Sequence, residues 1–347
     1  MDVRLSPEQR ALRDSAAQLV DRLGPHAVGQ LDDDERAAKL EAAMEAAGWR
    51  ELRVAGDDGG PLASGVEAAI IAEELGHGLA DAAFVGPTLA AELRRRAGAP
   101  PSGSPETVVL SPDLTRLAVA VDGGPPSGSV PIDARGSSTA LLLVPADGGF
   151  TLAQVGAKSS EARVDLTRAV AAVDPSIGIE PLVDQQRVLT DDDVSAWTAL
   201  GLALTSADLV GTMRGAVELG CDYAKERRQY GRAIGSFQAV QHLLADALVA
   251  MEGSRSVALH AAWAVDALRP HEALASGALA KAYSARAALG VCEAVIQVHG
   301  GIGNTWECLA HVFLRRALLS SDLLGGTGTN LERVLDHHEI GSGHGLR

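Results

Sequence analysis

Aromatic residues are scarce in this sequence: tryptophan, tyrosine and phenylalanine together make up 3% of its 347 residues. A core with so few rings must be filled by Ala, Leu and Val, and a core of Ala and Leu favours closely packed helices. Cysteine is scarcer still, since only Cys221, Cys292 and Cys308 are present and no CxxC pair occurs. An odd number of widely spaced cysteines argues against a disulfide framework and against a zinc site. We expect all three to be small core residues.

Basic charge is also in short supply, with 30 Lys and Arg against 45 Asp and Glu and a formal net charge of −15. Such a surface repels phosphates over most of its area, which argues against a nucleic-acid partner. No uncharged apolar run approaches the roughly 18–20 residues of a membrane span, and Met1–Pro7 lacks the basic segment of a secretion signal. The ten histidines form no HExxH motif and no Cys/His cluster, so we expect no metal site. We therefore expect a cytoplasmic protein that does not enter a membrane.

The pattern changes at two points along the chain and predicts three domains. Residues 1–104 show apolar residues at helical spacing and predict an N-terminal helical domain. Short Val- and Leu-rich segments separated by Gly, Pro and Asp follow, and they predict a small β domain at residues 105–190. Acidic residues that suit the first turn of a helix then open an almost wholly helical stretch, which predicts a C-terminal bundle at residues 191–347. The expected fold class is α+β, mainly α.

The same patterns predict individual elements. Ser6 and Gln9 form a capping box with Pro7 at the first helical position, so a helix is expected to begin there. Further helices are expected at Asp33–Ala47, Ser64–Leu75, Val194–Arg227, Phe237–Leu268, His271–Val298 and Thr305–Leu319. The expected strands are Thr107–Leu110, Leu117–Val121, Thr139–Val144, Thr151–Val155, Ala162–Val164, Ala169–Val173 and Gln186–Leu189.

Three segments of the C-terminal part are candidates for ligand binding. Arg227 and Arg228 end a long predicted helix, and their guanidinium forks match a pyrophosphate, although they could equally complement the helix dipole. The glycine-rich segment Gln297–Asn304 could bring backbone N–H groups close to phosphate oxygens, or could be a plain joint between helices. Its spacing is not the GxGxxG of a dinucleotide-binding fold. A second glycine-rich segment, Asp322–Asn330, is by itself typical of a linker.

Taken together and in this order, these segments resemble the acyl-CoA dehydrogenase family. That family shows ER-x-[FQ]-[FY]-G, then FQ-x-x-Q, then Q-x-x-GG-x-G and an EGT-type loop, with an EELG segment near the N-terminus. The similar stretches in this chain are Glu73–Gly76, Glu226–Gly231, Phe237–Gln241, Gln297–Gly303 and Gly325–Thr327. The resemblance covers nearly the whole chain in layout. It implies an acyl-CoA dehydrogenase-like fold with an N-terminal helical domain, a small, shortened middle β domain and a C-terminal four-helix bundle.

The resemblance also implies a function and a set of site residues. Members of the family are tetramers that bind FAD across a subunit boundary, remove two hydrogens from an acyl-CoA and pass electrons to an electron-transfer acceptor. By motif position, Arg227 corresponds to the arginine that contacts the FAD pyrophosphate of the neighbouring subunit. The expected cofactor-binding residues are Arg227, Gln229, Tyr230, Gln238, Gln297, Gly300, Gly301 and Thr327, with Thr329 a further candidate.

The chain departs from the family at the catalytic base, a carboxylate that takes the α proton. The Glu of the EGT loop is replaced by Gly325. The other family position, on the helix that opens the bundle, falls near Gly201, and no acidic residue lies within Ala199–Ser206. Asp208 and Glu218 lie on the same predicted helix but out of register. We expect each of them to be a solvated or salt-bridged surface group.

A second departure lies in the β domain, where the flavin-facing TEP-x-AGSD-like and W-I-[TS]-N-like runs are missing. Phe150 is the only aromatic residue from Ala99 to Asp193, so no Trp can pack on a flavin ring there. The asymmetry resembles a short subunit of an α2β2 heterotetramer whose paralogous partner carries the catalytic Glu. Actinobacterial pairs of this kind act on CoA thioesters of steroid side chains, and the Leu-Leu-Gly-Gly form of the third segment looks like their short subunits.

Two alternatives stay open at this point. The chain could be a self-sufficient, homo-oligomeric acyl-CoA dehydrogenase whose base is displaced to Asp208 or Glu218. It could also be a flavin-free scaffold or an acyl-CoA-binding subunit.

Overall fold

The computed structural model describes residues 4–159, 164–174, 176, 178–182 and 184–340. Helices form the N-terminal part: α1 (Pro7–Leu23), α2 (Asp34–Ala46), α3 (Gly65–His77) and α4 (Val85–Ala97). The predicted capping box is present, because the Gln9 backbone N–H donates to Ser6 Oγ and the Gln9 side chain accepts from the Ser6 N–H. Helix α4 is not among the helices that the sequence predicts. It has no side-chain N-cap and ends in charged residues, although its Leu89, Leu93 and Ala97 bury one face at helical spacing.

A single sheet follows, with strands β1 (Glu106–Leu110), β2 (Val130–Ile132), β3 (Thr139–Ala146), β4 (Gly149–Ser159), β5 (Ala171–Val173) and β6 (Glu180–Pro181). The strand order is β2-β1-β3-β4-β5, and β6 pairs with β4. Strands β3 and β4 form a long antiparallel hairpin, whereas β1 and β3 run parallel.

Two expected strands of this region are wrong and one lies largely outside the described residues. The segments Leu117–Val121 and Gln186–Leu189 contribute isolated bridges, such as Val119 with Leu143, and no continuous strand. Of Ala162–Val164, the structure describes Val164 alone. Short Val- and Leu-rich runs do not specify a pairing partner, and only tertiary contacts decide whether such a run becomes a ladder.

The C-terminal part is helical: α5 (Asp191–Glu226), the hairpin β7–β8 (Arg228–Gln229 and Arg232–Ala233), α6 (Gln238–Ala267), α7 (Pro270–His299), α8 (Ala310–Asp322) and α9 (Thr327–His337). The expected order of a helical, a β and a helical part is confirmed. Helix α5 contains an 18-residue window with a mean hydropathy of 1.3, long and apolar enough to cross a membrane. Because 83% of that window is buried inside the fold, α5 is the core helix around which the other elements pack.

One apolar cluster links all three parts of the chain through α5. It includes Leu40 of α2, Leu89 of α4, Leu141 of β3 and Trp197 of α5, and each is fully buried. The indole Nε1–H of Trp197 donates to the Leu89 carbonyl at 2.9 Å, which ties α5 to α4. The predicted domain boundaries at 104/105 and 190/191 fall between elements. Because one core is shared across both boundaries, the division into three domains stays a prediction.

The Glu73–Gly76 segment fixes where α3 crosses α5. A Cβ on Gly211 of α5 would lie 1.9 Å from the Glu73 carbonyl oxygen, and a Cβ on Gly76 would lie 2.4 Å from the Asp208 carbonyl oxygen. The two helices therefore touch backbone to backbone, which only glycine allows. Arg214 of α5 then clamps the crossing by donating to Glu73 at 2.8 Å and to Glu74 at 2.5 Å.

Replacing Trp197 with Leu is expected to lower the free energy of unfolding by about 3 kcal/mol, because the change leaves a cavity and removes the bond to Leu89. The matched control is Trp306→Leu, since the side chain of Trp306 is 65% exposed. Its effect is expected to stay within about 0.5 kcal/mol. Urea denaturation of the two variants tests this, and equal losses would contradict a core that is organised around α5.

Candidate functional site

The two glycines that the sequence analysis expects at the family's base positions lie near each other, because Leu324, the neighbour of Gly325 in the chain, packs against Gly201. Gly201 lies on α5 and Gly325 lies between α8 and α9. A Cβ on Gly201 would lie 2.2 Å from Leu324 Cδ1, and Leu324 itself is 0% exposed. Gly325 has a φ of +92°, and a Cβ there would lie 2.9 Å from Thr329 Cγ2. Neither position could take an acidic side chain without displacing its neighbours.

A buried charge cluster lies one to two turns further along α5. The carboxylate of Asp208 accepts from Arg168 and from Arg316, each at 2.7 Å, and from Ser320 Oγ at 2.7 Å. Asp208 is therefore salt-bridged, as expected, but the expectation that it lies at the surface is wrong, since it is 1% exposed. Burial would raise the pKa of Asp208, but Arg168 and Arg316 outweigh burial and hold that pKa below its usual value. Such a carboxylate is a poor proton acceptor.

Glu218 also lies away from the Gly201 position, near the other end of α5. Its carboxylate lies 2.6 Å from Nε2 of His77, and its side chain is 58% exposed. The hydrogen bond with His77 lowers the pKa of Glu218. Glu218 is therefore a surface group that is hydrogen-bonded to His77, and its surface position is as the sequence led us to expect.

Lys281 of α7 belongs to the same buried region and was not among the expected site residues. Its ammonium donates to the Ser320 and Leu323 carbonyls, each at 2.5 Å, and to Thr205 Oγ1 at 3.2 Å. The residue is 0% exposed, and burial lowers the pKa of Lys281 to about 7. The signal in the sequence is a single charge inside the run of small apolar residues from Gly277 to Ala282.

The first motif segment projects from the end of the bundle. Tyr230 and Gly231 form the turn of the β7–β8 hairpin, both with positive φ, and Tyr230 is 94% exposed. Arg227, the residue that follows α5, is exposed, and its guanidinium has no ion-pair partner among the described residues. The Arg232 guanidinium lies 4.3 Å above the ring of Phe237, which steadies the base of the hairpin. Gln229 and Gln238 are exposed beside it.

The fold brings the second motif segment to the first. The ring of Tyr223, near the end of α5, stacks on His299 at the end of α7 with 4.3 Å between ring centroids. Gln297, Gly300 and Gly301 are exposed next to this contact. Gly300, with a φ of +66°, ends α7.

The third motif segment lies apart from the other two. Thr327 opens α9, and its Oγ1 donates to the Ala282 carbonyl of α7 at 3.4 Å. Ala282 and Gln297 are fifteen residues apart on α7, so at about 1.5 Å per residue the separation is roughly 22 Å. Within one chain the third segment and the first two therefore cannot contact the same end of a ligand.

Cavities also occur elsewhere among the described residues, and two of them are well formed. One of about 430 Å³ lies between α2, α4 and the segment before β1, where Arg50, Arg94 and Glu41 are among the lining side chains. The other, of about 540 Å³, is a groove between α6 and α7. None of the eight expected cofactor-binding residues lines either cavity.

Sequence comparison identifies similar proteins over both helical parts. The family model described as "Acyl-CoA dehydrogenase, N-terminal domain" matches residues 6–99, and "Acyl-CoA dehydrogenase, C-terminal domain" matches residues 200–337. Acyl-CoA dehydrogenase IpdE2 from Mycobacterium tuberculosis is 32% identical over 336 residues, which cover 94% of this chain and 96% of that protein.

Solved structures share the fold over almost the full length. A chain of the ChsE4-ChsE5 complex from Mycobacterium tuberculosis is 22% identical and superposes with a TM-score of 0.79, covering 98% of this chain and 99% of its own. A variant of the Tcur3481-Tcur3483 steroid ACAD is 21% identical with a TM-score of 0.76, covering 96% and 98%. At these identities the two structures are evidence for the fold alone.

The change Gly201→Glu is expected to destabilise the chain by about 3 kcal/mol or more, because it overpacks Leu324 and buries an unpaired carboxylate. Combining it with Leu324→Ala is expected to restore part of the loss by opening room for the new side chain. Gly290→Glu is the matched control, because a Cβ on that helical glycine meets nothing within 4 Å. Urea unfolding measures all three, and a stable Gly201→Glu variant would contradict a filled site.

Asp208→Asn is expected to cost about 3–5 kcal/mol at neutral pH, because it leaves Arg168 and Arg316 buried without their anion. The folded-state pKa of Asp208 is depressed, so its contribution is present above the unfolded pKa of about 3.9 and is lost as the pH falls through the lower folded value. Glu218→Gln, the control at an exposed pair, is expected to change stability by less than about 1 kcal/mol. Urea unfolding measured between pH 7 and pH 2 tests this. The free energies of unfolding of the wild type and of Asp208→Asn are expected to become equal only in strong acid.

Proposed function

Because this chain belongs to the acyl-CoA dehydrogenase family, as a relative 32% identical over 94% of its length shows, we propose that it is one subunit of an FAD-dependent acyl-CoA dehydrogenase. In this role it contributes contacts to FAD, while a paralogous subunit of an α2β2 tetramer carries the catalytic Glu. The reaction is the α,β-dehydrogenation of an acyl-CoA thioester. Bound FAD supplies the acceptor for the β hydride, and a carboxylate is needed to take the α proton.

The packing of Leu324 against Gly201 is the observation that carries this proposal. A base must reach the α carbon, and both positions from which the family is expected to supply one are glycines here. The buried Leu324 closes off Gly201, and a Cβ on Gly325 would lie 2.9 Å from Thr329 Cγ2. Asp208, the acid that the sequence offers further along α5, is held by two arginines. A self-sufficient enzyme with a displaced base is therefore disfavoured, because Asp208 is sealed off and Glu218 pairs with His77 at the surface.

The exposed motif residues fit a cofactor that is bound mainly by a neighbour. The Arg227 guanidinium has no ion-pair partner in the part of the chain that the structure describes. Its planar donors suit a pyrophosphate, on an otherwise acidic protein. The ring of Tyr230 is 94% exposed in this chain. Burying such a ring against a ligand or a neighbouring subunit is energetically favourable. The same contact would continue along the adenosine end of FAD through Gln229, Gln238, Gln297, Gly300 and Gly301. Thr327 would contact FAD from the third segment.

The partner and substrate class rest on the relatives. The ChsE4-ChsE5 complex and the Tcur3481-Tcur3483 steroid ACAD each combine two different chains, and this chain shares their fold. We therefore infer a base-carrying paralogue as partner, a steroid side-chain CoA thioester as the substrate class, and an electron-transfer acceptor for the reduced flavin. We also infer a cytoplasmic location, since the apolar helix α5 is buried in the core.

A flavin-free scaffold is the second candidate. It is favoured by the same packing of Leu324 against Gly201, because a chain without a base of its own would not need a cofactor of its own. The two candidates differ in whether Arg227 matters to flavin binding by the complex.

Purification of the chain alone and together with its base-carrying paralogue tests the proposal. Flavin absorbance and acyl-CoA dehydrogenation are expected only in the pair. Arg227→Ala is expected to weaken FAD binding by the pair on the order of tenfold or more, because a charge-assisted contact worth about 1.5–3 kcal/mol is lost. The control is Arg22→Ala, which removes an exposed arginine from the last turn of α1 and so reproduces any loss at a helix C-terminus.

Each other outcome points to a different function. Full activity of the lone chain would establish the self-sufficient enzyme. Flavin occupancy that Arg227→Ala leaves unchanged would remove the cofactor role of Arg227 and favour the scaffold.

A further inference from the structure

The segment between α8 and α9 is held by side chains that reach it from several directions. Lys281 of α7 donates to the Leu323 carbonyl at 2.5 Å, and Arg333 of α9 donates to the Leu324 carbonyl at 2.6 Å. The side-chain amide of Asn330 donates to the Gly325 and Gly326 carbonyls at 2.7 and 3.0 Å. Every carbonyl from residue 323 to residue 326 is therefore bonded to a side chain that comes from a packed helix.

These bonds hold a backbone conformation that is unfavourable by itself. Leu324 has a φ of +62° and Gly325 has a φ of +92°, so two successive residues are left-handed. A leucine rarely adopts this conformation, because its Cβ crowds the following carbonyl oxygen. The surroundings must therefore enforce it, and they do so through the burial of Leu324 against Gly201 and through the bonds to the carbonyl groups.

Lys281 and Arg333 donate to neutral oxygens and to no carboxylate in this contact. Lys281 is 0% exposed, and its hydrogen-bond acceptors are two carbonyls and the Thr205 hydroxyl. Arg333 donates to Leu324, to Asn330 Oδ1 and to the Thr115 carbonyl of the β-rich part at 2.7 Å. Burying a cation without a paired anion is costly, so such residues are poor choices for packing alone. Burial lowers the pKa of both side chains.

Both ends of the segment depend on the same turn of α7. Leu323 accepts from Lys281, and Thr327 donates to the carbonyl of the next residue, Ala282. Leu323 and Thr327 are therefore both anchored to this turn of α7. We propose that Lys281 and Arg333 are positioning residues, which fix the segment 323–329 so that Thr327 is presented to FAD in the assembled enzyme. This inference rests on the proposed function, in which Thr327 contacts the cofactor.

The test uses the full-length chain co-purified with its base-carrying paralogue, with FAD as the added ligand. Lys281→Met and Arg333→Met remove the cations and keep most of the side-chain volume. Amide hydrogen exchange within 323–329 is expected to accelerate on the order of tenfold or more, since charge-assisted bonds that restrain local opening are lost. The dissociation constant for FAD is expected to rise by a similar factor, with a change in the visible circular dichroism of the bound flavin. Arg333→Lys, which keeps a donor, is expected to restore part of both losses.

Ser284→Ala is the matched control, because Ser284 is equally buried three residues further along α7 and its Oγ has no hydrogen-bond partner among the described residues. It is expected to leave both exchange and FAD binding unchanged. If Lys281→Met does not fold, Arg333→Met, at a less buried residue, gives the same readouts. Unchanged exchange in the methionine variants would overturn the proposal.

Faster exchange with unchanged FAD affinity would also overturn it, because Thr327 would then not depend on the conformation of the segment. The proposed function would still stand in that case if Arg227→Ala weakens FAD binding. A wild-type pair that binds no FAD would overturn both.

Discussion

Close backbone approach to α5 is the constraint on which the other contacts depend. Glycines at 201, 211 and 215 leave no room for a Cβ, since one built there would lie 2.2 Å from Leu324, 1.9 Å from the Glu73 carbonyl oxygen and 2.3 Å from the His77 carbonyl oxygen. The neighbouring elements therefore sit directly on the helix backbone. A core with few aromatic rings gains its packing density in this way, from small residues and short distances between helices.

The buried charges follow from the same tight packing. Asp208 lies where α5 meets α8 and the β-rich part, and Arg168, Arg316 and Ser320 surround it. Because water has no access there, the cluster is stable only when each charge has its partner. It joins the β-rich part to the bundle from within.

The helical bundle thus has one closed side and one open end. One side of the bundle is closed by Leu324, Lys281 and Asp208, which are fully paired or packed. The end with the β7–β8 hairpin is open, and Arg227 and Tyr230 project from it. This difference between the two sides fits the proposal of a subunit that completes the flavin site of another.

Local chemistry determined much of this from the sequence. The cap at Ser6, the long helices of the C-terminal part and the motifs around Arg227 and Gln297 depend on residues a few positions apart, and such signals persist in any context. Even so, α4 lacks an N-cap signal, and the segment at 117–121 shows a strand pattern without finding a continuous partner. The sequence also showed that Gly201 and Gly325 carry no acid. Only the tertiary structure decided that Leu324 packs against Gly201, that Asp208 is buried and that Lys281 holds the nearby segment, because these contacts join residues that are far apart in the sequence, such as Lys281 and Leu323. Their energies come from burial and from paired charges, which no local pattern encodes.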